Sequence, residues 1–167
     1  MKPDLGITNP NCVRFIDVDH EGCSQESKEE GKIVCEIYDS LLDQRFINRN
    51  GIEHPFSAEN ILVITPYNMQ VNHLQEVLPD GARVGTVDKF QGQEAEEVIV
   101  SMATSGPEDL PRNIEFLYST NRLNVAVSRA RTLAIVIANP ALLNVSCKTV
   151  EQMQLVNTLC WLRDYAE

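Results

Sequence analysis

The sequence predicts a three-layer α/β sandwich, a mainly parallel sheet with helices on both faces, and three observations predict it. Short apolar runs with little polar interruption, Ile61-Leu62-Val63-Ile64, Val98-Ile99-Val100-Ser101-Met102-Ala103 and Leu133-Ala134-Ile135-Val136-Ile137-Ala138, read as strands covered on both sides. Amphipathic stretches at helical spacing lie between such runs, and strand-helix alternation builds parallel sheets through right-handed crossovers. The length, 167 residues with 43% hydrophobic and 23% charged side chains, fits a single domain over 1–167 with a sizeable core.

The first strand expected is Val13 to Val18, whose imperfect alternation suits a sheet edge. Ser27 and Glu30 then form a capping box. Ile33, Val34, Ile37, Tyr38, Leu41 and Leu42 carry a helix through about Phe46, expected to be the longest amphipathic one. Arg45 through Ser57, with Asn50-Gly51 and His54-Pro55, reads as a turn-rich loop, and His20 and His54 receive no role. After the strand at 61–64, Thr65 is placed as N-cap and Pro66 as first helical residue. Tyr67, Val71, Leu74 and Leu78 continue that helix on one face until Pro79-Asp80-Gly81 breaks it. Ala82 to Val87 is a short strand, and Asp88 to Glu94 a polar turn at its carboxyl end, where ligands collect in open α/β sheets. Asp88 and Gln91 suit equally well a loop that satisfies its own backbone. Ser105 to Asn113 reads as a polar loop before Phe116-Leu117-Tyr118. In the closing segment, 140–167, Thr149 can cap a helix with Gln152 three residues on, and Met153, Val156, Cys160 and Trp161 give it an apolar side to dock on the sheet.

Fourteen basic against twenty-four acidic residues give a formal charge of −10 and a pI near 4.7, which argues against a freestanding, charge-driven nucleic-acid binder. The five cysteines are scattered without a C-x-x-C pair, so neither a zinc site nor a disulfide framework is indicated, and a reducing, cytoplasmic setting is expected. No apolar run approaches the roughly twenty residues that span a bilayer, and Met1-Lys2-Pro3-Asp4 does not begin a signal peptide.

One stretch concentrates the chemistry: Arg122-Leu123-Asn124-Val125-Ala126-Val127-Ser128-Arg129-Ala130-Arg131. Read as a helix, it puts Leu123, Ala126, Val127 and Ala130 on an apolar stripe, with Arg122 and Arg129 along one edge and Arg131 bracing the helix end from the other. Such arginines can complement the negative carbonyl end of a helix. As a pair facing the same way, they can also grip a polyanion, since the planar guanidinium fork suits phosphate.

Val84-Gly85-Thr86-Val87-Asp88 with Phe90-Gln91-Gly92-Gln93-Glu94, and Asn121 through Arg131, resemble motifs V and VI of superfamily 1 helicases. Ile64-Thr65-Pro66-Tyr67-Asn68-Met69-Gln70 is similar to motif IV, which puts the three motifs at about 61–70, 83–94 and 121–131. The resemblance is nearest to the nonsense-mediated-decay and Okazaki-fragment helicases, including bacterial members fused to a RecB-like nuclease. It implies a second, C-terminal RecA-like motor domain of the P-loop NTPase superfamily, with ATP between two such domains and a single strand of DNA or RNA across both. It further implies Arg129 as the arginine finger on the γ-phosphate with Arg122 beside it. Glu94, next to Gly92, would hold the nucleotide ribose, and Gln91 would link nucleotide to strand movement. Thr65, Pro66, Tyr67, Thr86 and Asp88 would lie near the nucleic-acid backbone. Gln93 stands where an arginine is common, and Val127-Ser128 where Leu-Thr is usual.

The phosphate loop G-x-x-x-x-G-K-[ST] is absent from this sequence: at Gly31-Lys32 the upstream glycine is replaced by Glu26, and Ile33 follows. Phe15-Ile16-Asp17-Val18 likewise lacks the Asp-Glu that would hold magnesium. The expectation is therefore half an ATPase. It would be monomeric and inert alone, its ATP and Mg held mainly by a first motor domain, its partners that domain, a single strand and a possible nuclease, with no metal site or membrane contact of its own. A stand-alone, non-hydrolysing module that binds a protein or a nucleotide is the other expectation.

Overall fold

A computed structural model describes residues 12–109 and 120–166. Five strands form one wholly parallel sheet in the order β1-β7-β6-β4-β5: β1 is Cys12–Asp17, β4 Ile61–Ile64, β5 Arg83–Gly85, β6 Ala95–Ser101 and β7 Ala130–Ala138. Successive side chains of each strand enter opposite cores. Leu62, Ile64, Val98, Val100 and Val136 meet α3 (Thr120–Ser128) and α4 (Val150–Ala166), whereas Ile61, Val63, Ile99, Ile135 and Ile137 meet α1 (Lys28–Leu42) and α2 (Asn68–Val77). The three-layer α/β class expected from the buried runs is the one observed, and β1 is an edge strand.

Several boundaries differ, each for a local reason. Helix α1 stops at Leu42 rather than Phe46, because Gln44 N–H turns back to Leu41 O and Phe46 instead packs on Phe56 at a ring distance of 5.0 Å. The supposed loop after it is an antiparallel hairpin, β2 (Arg45–Ile47) with β3 (Glu53–Pro55). Helix α2 starts at Asn68 with Tyr67 as N-cap. The Thr65 N–H bonds Gly85 O at 3.1 Å, which prolongs the β4–β5 ladder and keeps the chain extended past Pro66. Strand β5 covers only Arg83–Gly85, since Val87–Phe90 coils into a 3-10 turn. Strand β6 begins at Ala95 and ends at Ser101, where Ala103 takes a positive φ of 64°.

Ser27 does cap α1, accepting from Glu30 N–H at 3.1 Å, but Glu30 does not reach back, and Gln70 Oε1 takes the Ser27 N–H at 2.9 Å. Among the described residues the longest helix is α4, at 17 residues against 15 for α1. It docks against β1 through Val156, Leu159 and Leu162. Met153 and Trp161, expected inside, are 52% and 60% exposed, because the side chains that reach the sheet follow the 156, 159, 162 spacing. The Phe116-Leu117-Tyr118 segment, residues 110–113 of the polar loop before it and the first eleven residues lie outside the described residues.

Candidate functional site

The arginine stretch is only partly helical. Helix α3 ends at Ser128, where the Ser128 hydroxyl donates to Val125 O and Arg129 N–H closes a short turn on Ala126 O at 3.2 Å. Arg129 O then accepts from Ala95 N–H at 3.1 Å, Ala130 pairs with Ala95, and the chain is drawn into β7. Arg122 and Arg129 therefore do not share a helical stripe. They still converge: with Asp88, Gln91, Val87 and Val125 they line one surface cavity of about 260 Å³.

In that cavity Arg122 faces Asp88 at 4.0 Å, both well exposed, and the pair is weak in high dielectric. Arg129 is half-buried, and its Nε is buried with no hydrogen-bond partner among the described residues. A buried guanidinium donor without an acceptor is costly alone and suits an incoming oxyanion. Arg131 does not brace a helix end. It lies on β7, where its Nε donates to Glu94 Oε2 at 3.3 Å and Nη1 to Glu96 Oε1 at 3.2 Å, contacts that raise its pKa, Glu94 foremost.

At the carboxyl ends of β4 and β5, Thr65, Pro66 and Thr86 line a second, small cavity with Arg122. Thr65 is fully buried, with its hydroxyl unpartnered among the described residues. Tyr67 is 5% exposed, and its hydroxyl accepts from Thr104. Asp88 is open to solvent. Gly92 adopts φ +76°, a turn that lets the chain pass from Gln91 to Glu94. Glu94 opens onto a third cavity, with Arg131 and residues 46–50 of the hairpin, rather than onto that of Arg129. Gln93 accepts from Arg83. The structure thus gathers Arg129, Arg122, Gln91 and Asp88 in one place and Thr65, Pro66 and Thr86 beside it, and sets Glu94 apart.

With this geometry in hand, comparison with known proteins is informative. A family model described as "AAA domain" matches residues 6–141. The chain belongs to this AAA-domain family. Its relatives are helicases. An ATP-dependent helicase of Methanocaldococcus jannaschii is 33% identical over 149 residues, 84% of this chain and 20% of that protein. The DNA polymerase alpha-associated DNA helicase A of Saccharomyces cerevisiae is 32% identical over 124 residues, 69% of this chain and 17% of that protein. The probable RNA helicase armi of Drosophila melanogaster is 39% identical over 100 residues, 53% of this chain and 8% of that protein. The chain is a helicase-related domain with a RecA-like fold, and it spans from 8% to 20% of the length of these relatives.

Behind the carboxyl edge of this helicase domain lies a buried polar network that sequence reasoning passed over. His20 Nε2 bonds Glu30 Oε1 at 2.9 Å, and His20 Nδ1 shares a hydrogen bond of 2.7 Å with Ser105 Oγ. Glu30 Oε2 accepts from the Ser101 hydroxyl at 2.6 Å and Ala103 N–H at 2.9 Å, while Gln70 Nε2 donates to Ser101 Oγ and Ser27 O. The signal was present: Glu30 stands on the same stripe as Val34, Ile37 and Leu41, and a charge on an apolar stripe requires partners. The network fixes the loops after β1 and β6 to the starts of α1 and α2. Among the described residues no group of three or more His, Cys, Asp or Glu is placed to hold a metal ion, and no helix is long and apolar enough to cross a membrane.

Proposed function

We propose that this domain is the C-terminal motor half of a superfamily 1 ATP-dependent helicase or translocase of single-stranded DNA or RNA. In this reading Arg129 is the arginine finger, and Arg122 and Gln91 sit beside the nucleotide's phosphates. Glu94 takes the ribose, and Thr65, Pro66, Tyr67, Thr86 and Asp88 form one wall of the strand channel. The carrying observation is the cavity that joins Arg122, Arg129 and Gln91 around a buried, unpartnered Nε. Two guanidiniums and an amide fit the phosphate oxygens of ATP, whose charge grows on those oxygens as the terminal group transfers. The same donor set repels Mg²⁺. Among the described residues no group of three or more His, Cys, Asp or Glu offsets this, so the residues of this cavity do not fit the metal. Bound nucleotide would supply the scissile phosphoanhydride, and this chain's part is to orient it and to stabilise developing charge.

In this reading, with no G-x-x-x-x-G-K-[ST] loop in the sequence, nucleotide affinity comes mainly from a first RecA-like domain of the same cytoplasmic protein, which can also carry a RecB-like nuclease, and the isolated domain is a monomer. Among the relatives one is named an RNA helicase and another a DNA helicase, so the proposed polynucleotide is a single strand of either kind. The test is an ATPase assay. The isolated chain should hydrolyse nothing. In the two-domain motor Arg129→Lys should leave nucleotide binding intact and reduce strand-stimulated turnover roughly a hundredfold or more. Turnover by the isolated chain that disappears with Arg129→Ala would overturn the half-motor reading.

A further inference from the structure

The cavity onto which Glu94 opens is bounded on its other side by a feature that the motor reading does not use, the β2–β3 hairpin. Its volume is about 400 Å³, within the range of small-molecule sites. One wall is the first hairpin strand and turn, residues 46–50; the other is the start of β6 and β7, with Glu94, Glu96 and Arg131.

The hairpin is built to hold its tip still. A two-stranded ribbon is marginal by itself. Here Asn48 Oδ1 accepts from the N–H groups of Asn50 and Ile52 at 2.9 and 3.0 Å, and Asn48 Nδ2 bonds His54 Nε2 at 2.9 Å. Phe46 stacks on His54 at 5.6 Å and packs with a tilted ring on Phe56, which is buried in the core. The turn that brings Arg49 and Asn50 to the rim is thereby tied to the hairpin's own side chains.

The opposite wall is equally fixed. Arg131 bridges Glu94 and Glu96, and Glu96 Oε2 also accepts from Asn60. The charges of this cavity, two carboxylates against Arg131 and Arg49, cancel. The Arg129 cavity, by contrast, carries two guanidiniums against Asp88 alone and is cationic. A neutral, hydrogen-bonding cavity edged by an aromatic ring suits the uncharged part of a nucleotide, and the cationic one its phosphates. Arg129 and Arg131 are two residues apart where β7 begins, a separation of about 7 Å along a strand.

We propose that the β2–β3 hairpin is the wall of a nucleoside-binding cavity, in which residues 46–50 and Glu94 enclose the sugar and base of the nucleotide whose phosphates lie at Arg129. The inference rests on the phosphate placement proposed above, and the experiment separates the two. Amide chemical shifts of this chain are followed while adenosine, inorganic tripolyphosphate and ATP are added separately at millimolar concentration. Adenosine should move amides of 46–52 and 94–96 and leave 122 and 129 in place. Tripolyphosphate should do the reverse, and ATP should move both sets. Arg49→Ala should weaken adenosine binding about fivefold, as expected for one lost hydrogen bond, without changing the tripolyphosphate response. Adenosine that leaves 46–52 unmoved, at any concentration reached, refutes the nucleoside cavity. Tripolyphosphate that leaves Arg129 unmoved while adenosine still moves the hairpin refutes the phosphate placement instead.

Discussion

Glu97 offers a measurement in which one buried group contributes a pH-dependent part of the stability of the fold. It lies in the middle of the sheet, paired in register with Ile61 of β4 and Leu133 of β7, and is 1% exposed, with Oε2 unpartnered among the described residues. Burial first, and then the charge of Glu96, push its pKa up from 4.5 to about 8. The folded form therefore keeps a proton that the unfolded chain releases above pH 4.5. The stability that this proton carries is fully present below that value and is lost as pH rises towards about 8. A difference of about 3.5, at about 1.4 kcal/mol each, comes to about 5 kcal/mol in total, of which about 3 kcal/mol is gone by pH 7. Glu97→Gln replaces the protonated acid by a neutral side chain of the same shape and removes that slope. Urea unfolding followed by circular dichroism, on both proteins at about pH 5 and about pH 7, gives the difference curve directly, because every other titration is common to both. The variant should gain on the parent by about 2.5 kcal/mol across this interval, equivalent to roughly 5–10 °C in Tm for a chain of this size. Parallel curves would refute the reasoning and place a water or partner on Oε2.

Other expectations follow from particular side chains. Glu30→Ala leaves His20 and Ser101 without their shared acceptor and should cost about 3 kcal/mol by thermal denaturation, close to removal of one partner from a buried pair. Gly92→Ala meets no atom within 4 Å yet inherits φ +76°, so it should cost about 1 kcal/mol of stability while leaving the isolated fold intact. Leu159→Ala should lose about 3 kcal/mol, whereas Trp161→Ala on the outer side of the same helix should change stability by less than about 0.5 kcal/mol. Fluorescence anisotropy with a labelled oligonucleotide should show weak binding that fades as salt rises, given a net charge of −10 on the chain.

The parts of the fold that were legible in the sequence are those whose burial is uniform. The runs 61–64, 98–100 and 133–138 are apolar without interruption and are buried throughout, so no choice of face had to be made. Boundaries were illegible wherever a long-range bond decided them. Nothing local in Thr65-Pro66 reveals that Gly85 O will claim the Thr65 N–H, so capping chemistry pointed to a helix where the ladder imposes a strand. The hairpin was missed for a related reason. Asn50-Gly51 marked the turn, but its strands are three residues each and are held by Phe46, His54 and Phe56, a cluster invisible to local pattern. Glu97, adjoining a buried run, was legible as sequence and was not read.

The two arginines meet in one cavity, although not through the geometry expected of them. Helical periodicity placed Arg122 and Arg129 on one edge, yet Arg129 is positioned by the sheet, through its carbonyl's bond to Ala95 N–H. This has a physical advantage for the proposed chemistry. Ala95 directly follows Glu94, so the rung that seats Arg129 also seats Glu94, and the separation between the two is set by the β6–β7 ladder rather than by a fraying helix end. A nucleotide touching both would be measured against a rigid ruler. Arg122, on the first turns of α3, belongs to the other element, and it also borders the cavity of Thr65 and Thr86. A small shift of α3 against β7 would therefore change the Arg122 to Arg129 spacing while leaving Glu94 to Arg129 unchanged, so under the proposed roles movement beside Thr65 and Thr86 would reach the phosphates without disturbing the nucleoside.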